Sequence, residues 1–113
     1  MSTPENKVKK WIDDTMKKWY PSSVKYSPPG GMYGGRAGFP DRMWFIQGSH
    51  NIVIVVAIEA KAGDNSATAL QLNTLKALIS QGVIGAVVTG KDIGHMERIR
   101  AEVTRRMEVY SGL

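Results

Sequence analysis

Asp41, Glu59 and Lys61 are the residues of this 113-residue chain whose types and spacing could do chemistry. Glu59 and Lys61 stand two apart at the end of the segment 52–61 (IVIVVAIEAK), and Asp41 opens the segment 41–47 (DRMWFIQ). Gly48, Ser49, His50 and Asn51 between the two segments have the composition of a hairpin turn. In an antiparallel pair the sum of facing residue numbers is constant, so a turn centred on His50 sets Asp41 opposite Glu59, within one residue. Side chains two apart on a strand share a face, which brings Lys61 to the same side. Two carboxylates that close repel unless a divalent cation or a shared proton relieves them. Oxygen donors of this kind suit Mg²⁺, with Mn²⁺ able to substitute, because such ions keep several waters and take phosphate oxygens as further ligands. A lysine beside the ion could orient or help deprotonate an attacking water and offset charge building on a phosphoryl group. That chemistry is phosphodiester hydrolysis. The same residues also admit a reading without chemistry, in which Asp41 is a turn residue after Pro40, and Glu59 and Lys61 mark a solvated strand end held in cross-strand ion pairs.

The elements that must position these groups are legible from the pattern. Thr3, Pro4 and Glu5 form a helix start, with a hydroxyl cap, proline at the first position and an acid in the first turn. Val8, Trp11, Ile12, Met16 and Trp19 follow on one helical face that ends before Pro21. Lys7, Lys9, Lys10, Lys17 and Lys18 fill much of the remainder, as a solvated face or as phosphate contacts. Val24, Lys25 and Tyr26 suggest a short strand. Gly and Pro then hold eight of the thirteen positions 28–40, which excludes a regular element. The spacing of Gly30 and Gly35 is that of a phosphate loop, but Arg36 and Ala37 stand where Lys and Ser or Thr are needed, so a nucleotide-binding loop is excluded.

Seven unbroken aliphatic residues, 52–58, predict a central strand buried on both faces. A helix over 67–81 carries Leu70, Leu75, Leu78 and Ile79 inward and closes at Gly82. Residues 83–89 (VIGAVVT) form a further buried strand, parallel to 52–61 because a helix separates the two. Asp92 caps a last helix, about 92–110, bearing Ile93, Met96, Ile99, Val103, Met107 and Tyr110. The expected architecture is one α/β domain over 1–113, with an αβββαβ core at about 4–90, a mixed central sheet flanked by helices, and a C-terminal helix.

Gly38-Phe39-Pro40-Asp41, then Ile58-Glu59-Ala60-Lys61, then Gln71 in the following helix, resembles the PD-(D/E)xK nuclease superfamily. More narrowly it is similar to the virus-type replication-repair nuclease (VRR-NUC) domain, whose pattern adds an acid in the first helix, here Glu5. The resemblance covers roughly residues 5–89 and implies a restriction-endonuclease-like core. It implies metal binding by Asp41 and Glu59 with the backbone carbonyl of Ala60, a contribution from Glu5, water activation by Lys61, and support of the lysine or the substrate phosphate by Gln71. Lys25 lies where the family often has a basic residue. The implied activity is Mg²⁺-dependent, structure-specific DNA cleavage, with stand-alone members acting as homodimers on branched DNA such as four-way (Holliday) junctions. The glycine-rich loop before Asp41 and the helix after Thr89 depart from the minimal pattern. A sequence-specific nuclease would share the site, but no insertion is large enough to supply a recognition element.

Composition agrees with a polyanionic partner. Fifteen Lys and Arg against ten Asp and Glu give a net charge of +5, with eight positive and four negative residues in 1–50. DNA contact is expected from Lys7, Lys9, Lys10, Lys17, Lys18, Lys25, Arg36 and Arg42, with Tyr33 available to stack. The basic surface alone would equally serve a non-catalytic nucleic-acid-binding module, which has no need for Asp41, Glu59 and Lys61 to converge. The absence of cysteine excludes disulfides, thiolate zinc sites, iron–sulfur ligation and a cysteine nucleophile. His50 and His95 have no acid at ligand spacing and are expected at a turn and on a helix surface. Neither a secretory h-region nor a membrane-length apolar run is visible, so a cytoplasmic location is expected.

Overall fold

A computed structural model describes residues 3–28 and 38–112 of the chain. The first helix, α1 (Pro4–Trp19), begins where the Thr3 hydroxyl accepts the Asn6 N–H at 3.1 Å, with Pro4 in the first turn. Val8, Ile12 and Met16 recur every four residues and are buried, while Trp11 and Trp19 pack at the margin of the same core. Strands β1 (Val24–Tyr26), β2 (Arg42–Gln47) and β3 (Val53–Lys61) follow, then helix α2 (Ala69–Ser80), strand β4 (Ile84–Thr89) and helix α3 (Ile93–Ser111). The order is αβββαβα. The strands form one sheet in the order β1-β2-β3-β4, with the first two pairings antiparallel and β3-β4 parallel.

The β2-β3 register pairs Arg42 with Ile58 and Gln47 with Val53, the pairing that a turn centred on His50 predicts. One step further along, Asp41 faces Glu59. The turn is tight: the Gly48 N–H donates to the Ile52 carbonyl at 2.7 Å, and His50 and Asn51 take φ of 58° and 59°. Asn and His enter that left-handed region more readily than most side chains, though at a cost that glycine avoids.

One face of the sheet carries Trp44, Ile46, Ile54, Val56, Ile58, Ala60, Ile84 and Val88, and both α1 and α3 pack on it. Met96, Ile99 and Val103 are the buried residues of α3. Helix α2 lies against β4, where Gly85 makes room for it. A Cβ at Gly85 would meet Leu75 Cδ1 at 2.8 Å and Ile79 Cγ1 at 2.9 Å.

Two expectations of burial are corrected. β3 is buried throughout only from Val56 to Ala60; Val53 is half exposed, because on its side Val24, Tyr26 and Phe45 of the neighbouring strands are also open to solvent. Leu70 and Ile79 of α2 are exposed as well, and Leu75 is that helix's buried residue. A helix seated on one six-residue strand contacts it along a narrow stripe, so its flanks stay wet. Ile93, in the first turn of α3, is exposed likewise. Among the described residues no helix is long and apolar enough to cross a membrane.

Candidate active site

Asp41 and Glu59 are tied to each other across the hairpin by reciprocal contacts. The Asp41 N–H donates to Glu59 Oε2 at 3.1 Å, and the Ala60 N–H donates to Asp41 Oδ2 at 3.0 Å. Each carboxylate thus accepts a backbone N–H from the opposite strand, which fixes both side chains by the sheet's own register rather than by flexible contacts.

The first turn of α2 supplies a third constraint. Thr68 caps it, accepting the Gln71 N–H at 3.1 Å, while the Gln71 side-chain oxygen accepts the Thr68 N–H at 2.9 Å. This capping box leaves the amide nitrogen of Gln71 free to donate to Glu59 Oε1 at 2.7 Å. The resemblance assigned Gln71 to the lysine or a phosphate; its partner in this structure is the glutamate.

Lys61 Nζ lies 3.5 Å from Glu59 Oε1 and 4.0 Å from Glu5 Oε1. The backbone of Lys61 is anchored too, its carbonyl accepting the Gly90 N–H at 2.8 Å just past β4. Lys9, one turn after Glu5 on α1, lies 3.6 Å from Glu5 Oε2 and 3.6 Å from Asp41 Oδ1. Two ammonium groups therefore bridge Glu5 to the carboxylate pair. Sequence reasoning placed Lys9 among phosphate contacts and missed it here; its position four after Glu5, on the turn of α1 that must lie near the hairpin end, was the available signal.

Glu59 is 3% exposed, the one charged side chain among the buried residues described. Burial pushes its pKa up to about 7, and the Asp41 charge adds to the rise, against the opposing pull of Lys61 and the Asp41 N–H. A strand that is otherwise aliphatic holds an acid whose charged form is disfavoured as it stands, a cost typical of a group kept for function.

The donors fit a hard divalent cation of the Mg²⁺ type. Among the described residues no group of three or more His, Cys, Asp or Glu gathers to cage an ion. Two carboxylates that repel each other, with the remaining ligands left to backbone, water and phosphate, are the donor set that Mg²⁺ accepts and that Ca²⁺ or Zn²⁺ cages exceed. Glu5 stands beside the pair by way of the same two lysines, 3.6 Å from Lys9 and 4.0 Å from Lys61.

The expected DNA contacts divide. Lys7, Lys17 and Lys18 are exposed on α1, and Lys10 is exposed but 2.9 Å from Asp14. Lys25 and Arg42 both engage Asp13, at 3.2 and 2.9 Å. Asp13 has no signature in the sequence that marks it as their partner. Arg36, Tyr33 and the glycines Gly30 and Gly35 lie outside the described residues. His50 is the turn residue expected. His95 does have an acid nearby, since the helix cap Asp92 places Oδ2 3.5 Å from its Nδ1.

Comparison with protein-family models, with curated proteins and with solved structures finds no match to this chain.

Proposed function

We propose that the chain is a divalent-cation-dependent endodeoxyribonuclease of the VRR-NUC kind, hydrolysing phosphodiester bonds in branched DNA such as four-way junctions. The observation that supports this most is the reciprocal lock of Asp41 and Glu59 with Lys61 3.5 Å from Glu59. A binding module would gain nothing from a repelling, buried carboxylate at that point.

Asp41 and Glu59, with the Ala60 carbonyl, would hold Mg²⁺, or Mn²⁺ in its place. The ion would supply Lewis acidity toward a phosphoryl oxygen. Gln71 fixes the rotamer of Glu59 and so acts as a positioning residue. Lys61, anchored on a central strand, would present its ammonium to the charge that builds as water oxygen bonds to phosphorus and the ester P–O bond breaks, with the proton lost by the water passing to solvent and the departing sugar oxygen taking one up from solvent. Lys7, Lys10, Lys17 and Arg36 would hold DNA phosphates, and Lys25 and Arg42 would do so while sharing Asp13.

A second copy of the chain is proposed as a partner, so that two sites can cut two strands. The apolar side chains open to solvent on the sheet, Val24, Phe45 and Val53, support that arrangement better than Trp11 and Trp19, which pack against the core. Such a protein would work in the cytoplasm.

The test is cleavage of a labelled four-way junction with Mg²⁺ by wild type, Asp41→Ala and Lys61→Ala, with linear duplex as comparison. Loss of cutting in both variants supports the reading. Unchanged cutting by both overturns it, and salt-sensitive binding without any cutting would favour a non-catalytic module.

A further inference from the structure

The carboxylate pair already has two ammonium groups against it, and they are not equivalent. Lys61 projects from β3, and its backbone is locked to Gly90 at the sheet's end. Lys9 projects from the first turns of α1 on a flexible stem, and its ammonium is shared between Asp41 Oδ1 and Glu5 Oε2 at equal distances of 3.6 Å. The two oxygens of Asp41 differ likewise. Oδ2 is committed to the Ala60 N–H at 3.0 Å, whereas Oδ1 has Lys9 as its contact. A cation that uses Asp41 therefore meets Lys9 at the oxygen it needs, and two like charges cannot share it without loss.

We infer that Lys9 is the resident counter-cation of Asp41, and that a divalent cation engages Asp41 only as the Lys9 ammonium leaves it. The inference rests on the reading of Asp41 and Glu59 as a cation-holding pair. Glu5 makes the exchange reversible. As the (i, i+4) partner on the same helix it keeps Lys9 paired after release and near enough to return. Glu5 is then a holder of the displaced lysine rather than a ligand of the ion. Removing the Lys9 charge removes a competitor, so cation affinity should rise, the reverse of what damage to the site or the fold would do. Part-exposed ion pairs of this length predict a gain of up to about fivefold.

The experiment is a calorimetric titration of Mn²⁺ into the full chain without DNA. Wild type is compared with Lys9→Gln, Lys9→Met, Lys10→Gln and Asp41→Ala. Lys10→Gln removes the same charge from the next position, where the ammonium pairs with Asp14, and so controls for net charge. Tighter binding by every folded Lys9 variant than by the Lys10 control, by up to about fivefold, supports the inference. Equal or weaker binding by a folded Lys9 variant overturns it. Acylation of lysine amines in wild type gives a readout free of substitutions, with Lys9 expected to react faster once Mn²⁺ is added and Lys10 unchanged; an unchanged Lys9 rate overturns the inference. If wild type binds no Mn²⁺, or Asp41→Ala binds as tightly, the cation-holding pair itself is refuted and the inference falls with it. Failure of Lys9 alone leaves the pair standing.

Discussion

Replacing Glu59 by Gln should change how the stability of the cation-free protein depends on pH. Glu59 holds its proton in the folded chain up to about pH 7, whereas an ordinary glutamate, as in the unfolded chain, ionises near 4.5. Between those values the native state binds more protons than the unfolded state, so stability falls as pH rises, and the loss is complete above pH 7. A difference of 2.5 pH units corresponds to about 3 kcal/mol. The substituted amide cannot titrate and should abolish that slope. It has one oxygen to offer where Glu59 accepts from both Asp41 N–H and Gln71 Nε2, so a constant penalty of about 1 to 3 kcal/mol is expected at every pH. The diagnostic is therefore the change between pH 5 and pH 8, measured by urea denaturation in EDTA. Wild type should lose about 2 to 3 kcal/mol more than Glu59→Gln over that interval. Repeating the series with Mg²⁺ should flatten the wild-type curve, because an added cation favours the ionised carboxylate. Parallel curves for the two proteins in EDTA would refute the assignment of a disfavoured buried charge to Glu59.

Other perturbations follow from the same geometry. Gln71→Ala should lower the rate of DNA cleavage about 10- to 100-fold by freeing Glu59, with a stability loss of about 1 kcal/mol from the broken capping box, both read on the same preparation. Gly85→Ala should destabilise the fold by about 1 to 3 kcal/mol in urea, since its Cβ would press on Leu75 and Ile79. His50→Gly should stabilise by about 1 kcal/mol without affecting cleavage, because glycine adopts the left-handed backbone there freely. Asp13→Asn removes the carboxylate that Lys25 and Arg42 share with the phosphates they are proposed to hold, so DNA affinity should rise in a binding titration at fixed salt.

Those features of the fold written in local chemistry were legible in the sequence. The Thr3 cap, the proline after it, the Asp92 cap and the Gly82 stop each lie within a few residues of the boundary they set. The β2-β3 register was legible because a tight turn and a strict two-residue period leave a hairpin few alternatives, and that register alone brings Asp41 to Glu59. Burial was less legible where it depends on which layer covers which part of the sheet. The aliphatic run at β3 has the same appearance whether or not a helix reaches its first residues, and Val53 is exposed because none of the described helices covers it. Long-range polar partners were the least legible. Nothing near Lys25 or Arg42 in the chain points to Asp13, and the place of Lys9 follows from how α1 crosses the end of the sheet. Gln71 was singled out by resemblance, but its hydrogen bond to Glu59 needed the α2 cap to be seen in place.

Asp41 and Glu59 are proposed to hold a divalent cation that is required to cut DNA. A titration of Mg²⁺ from zero, in chelator-treated buffer, against the rate of four-way-junction cleavage by wild type tests it most directly. No cutting at zero cation, a saturable rise with Mg²⁺, and a curve displaced to higher concentration or abolished in Asp41→Ala are the predicted results. Cleavage that persists without divalent cation, or a curve that Asp41→Ala leaves unmoved, would contradict it.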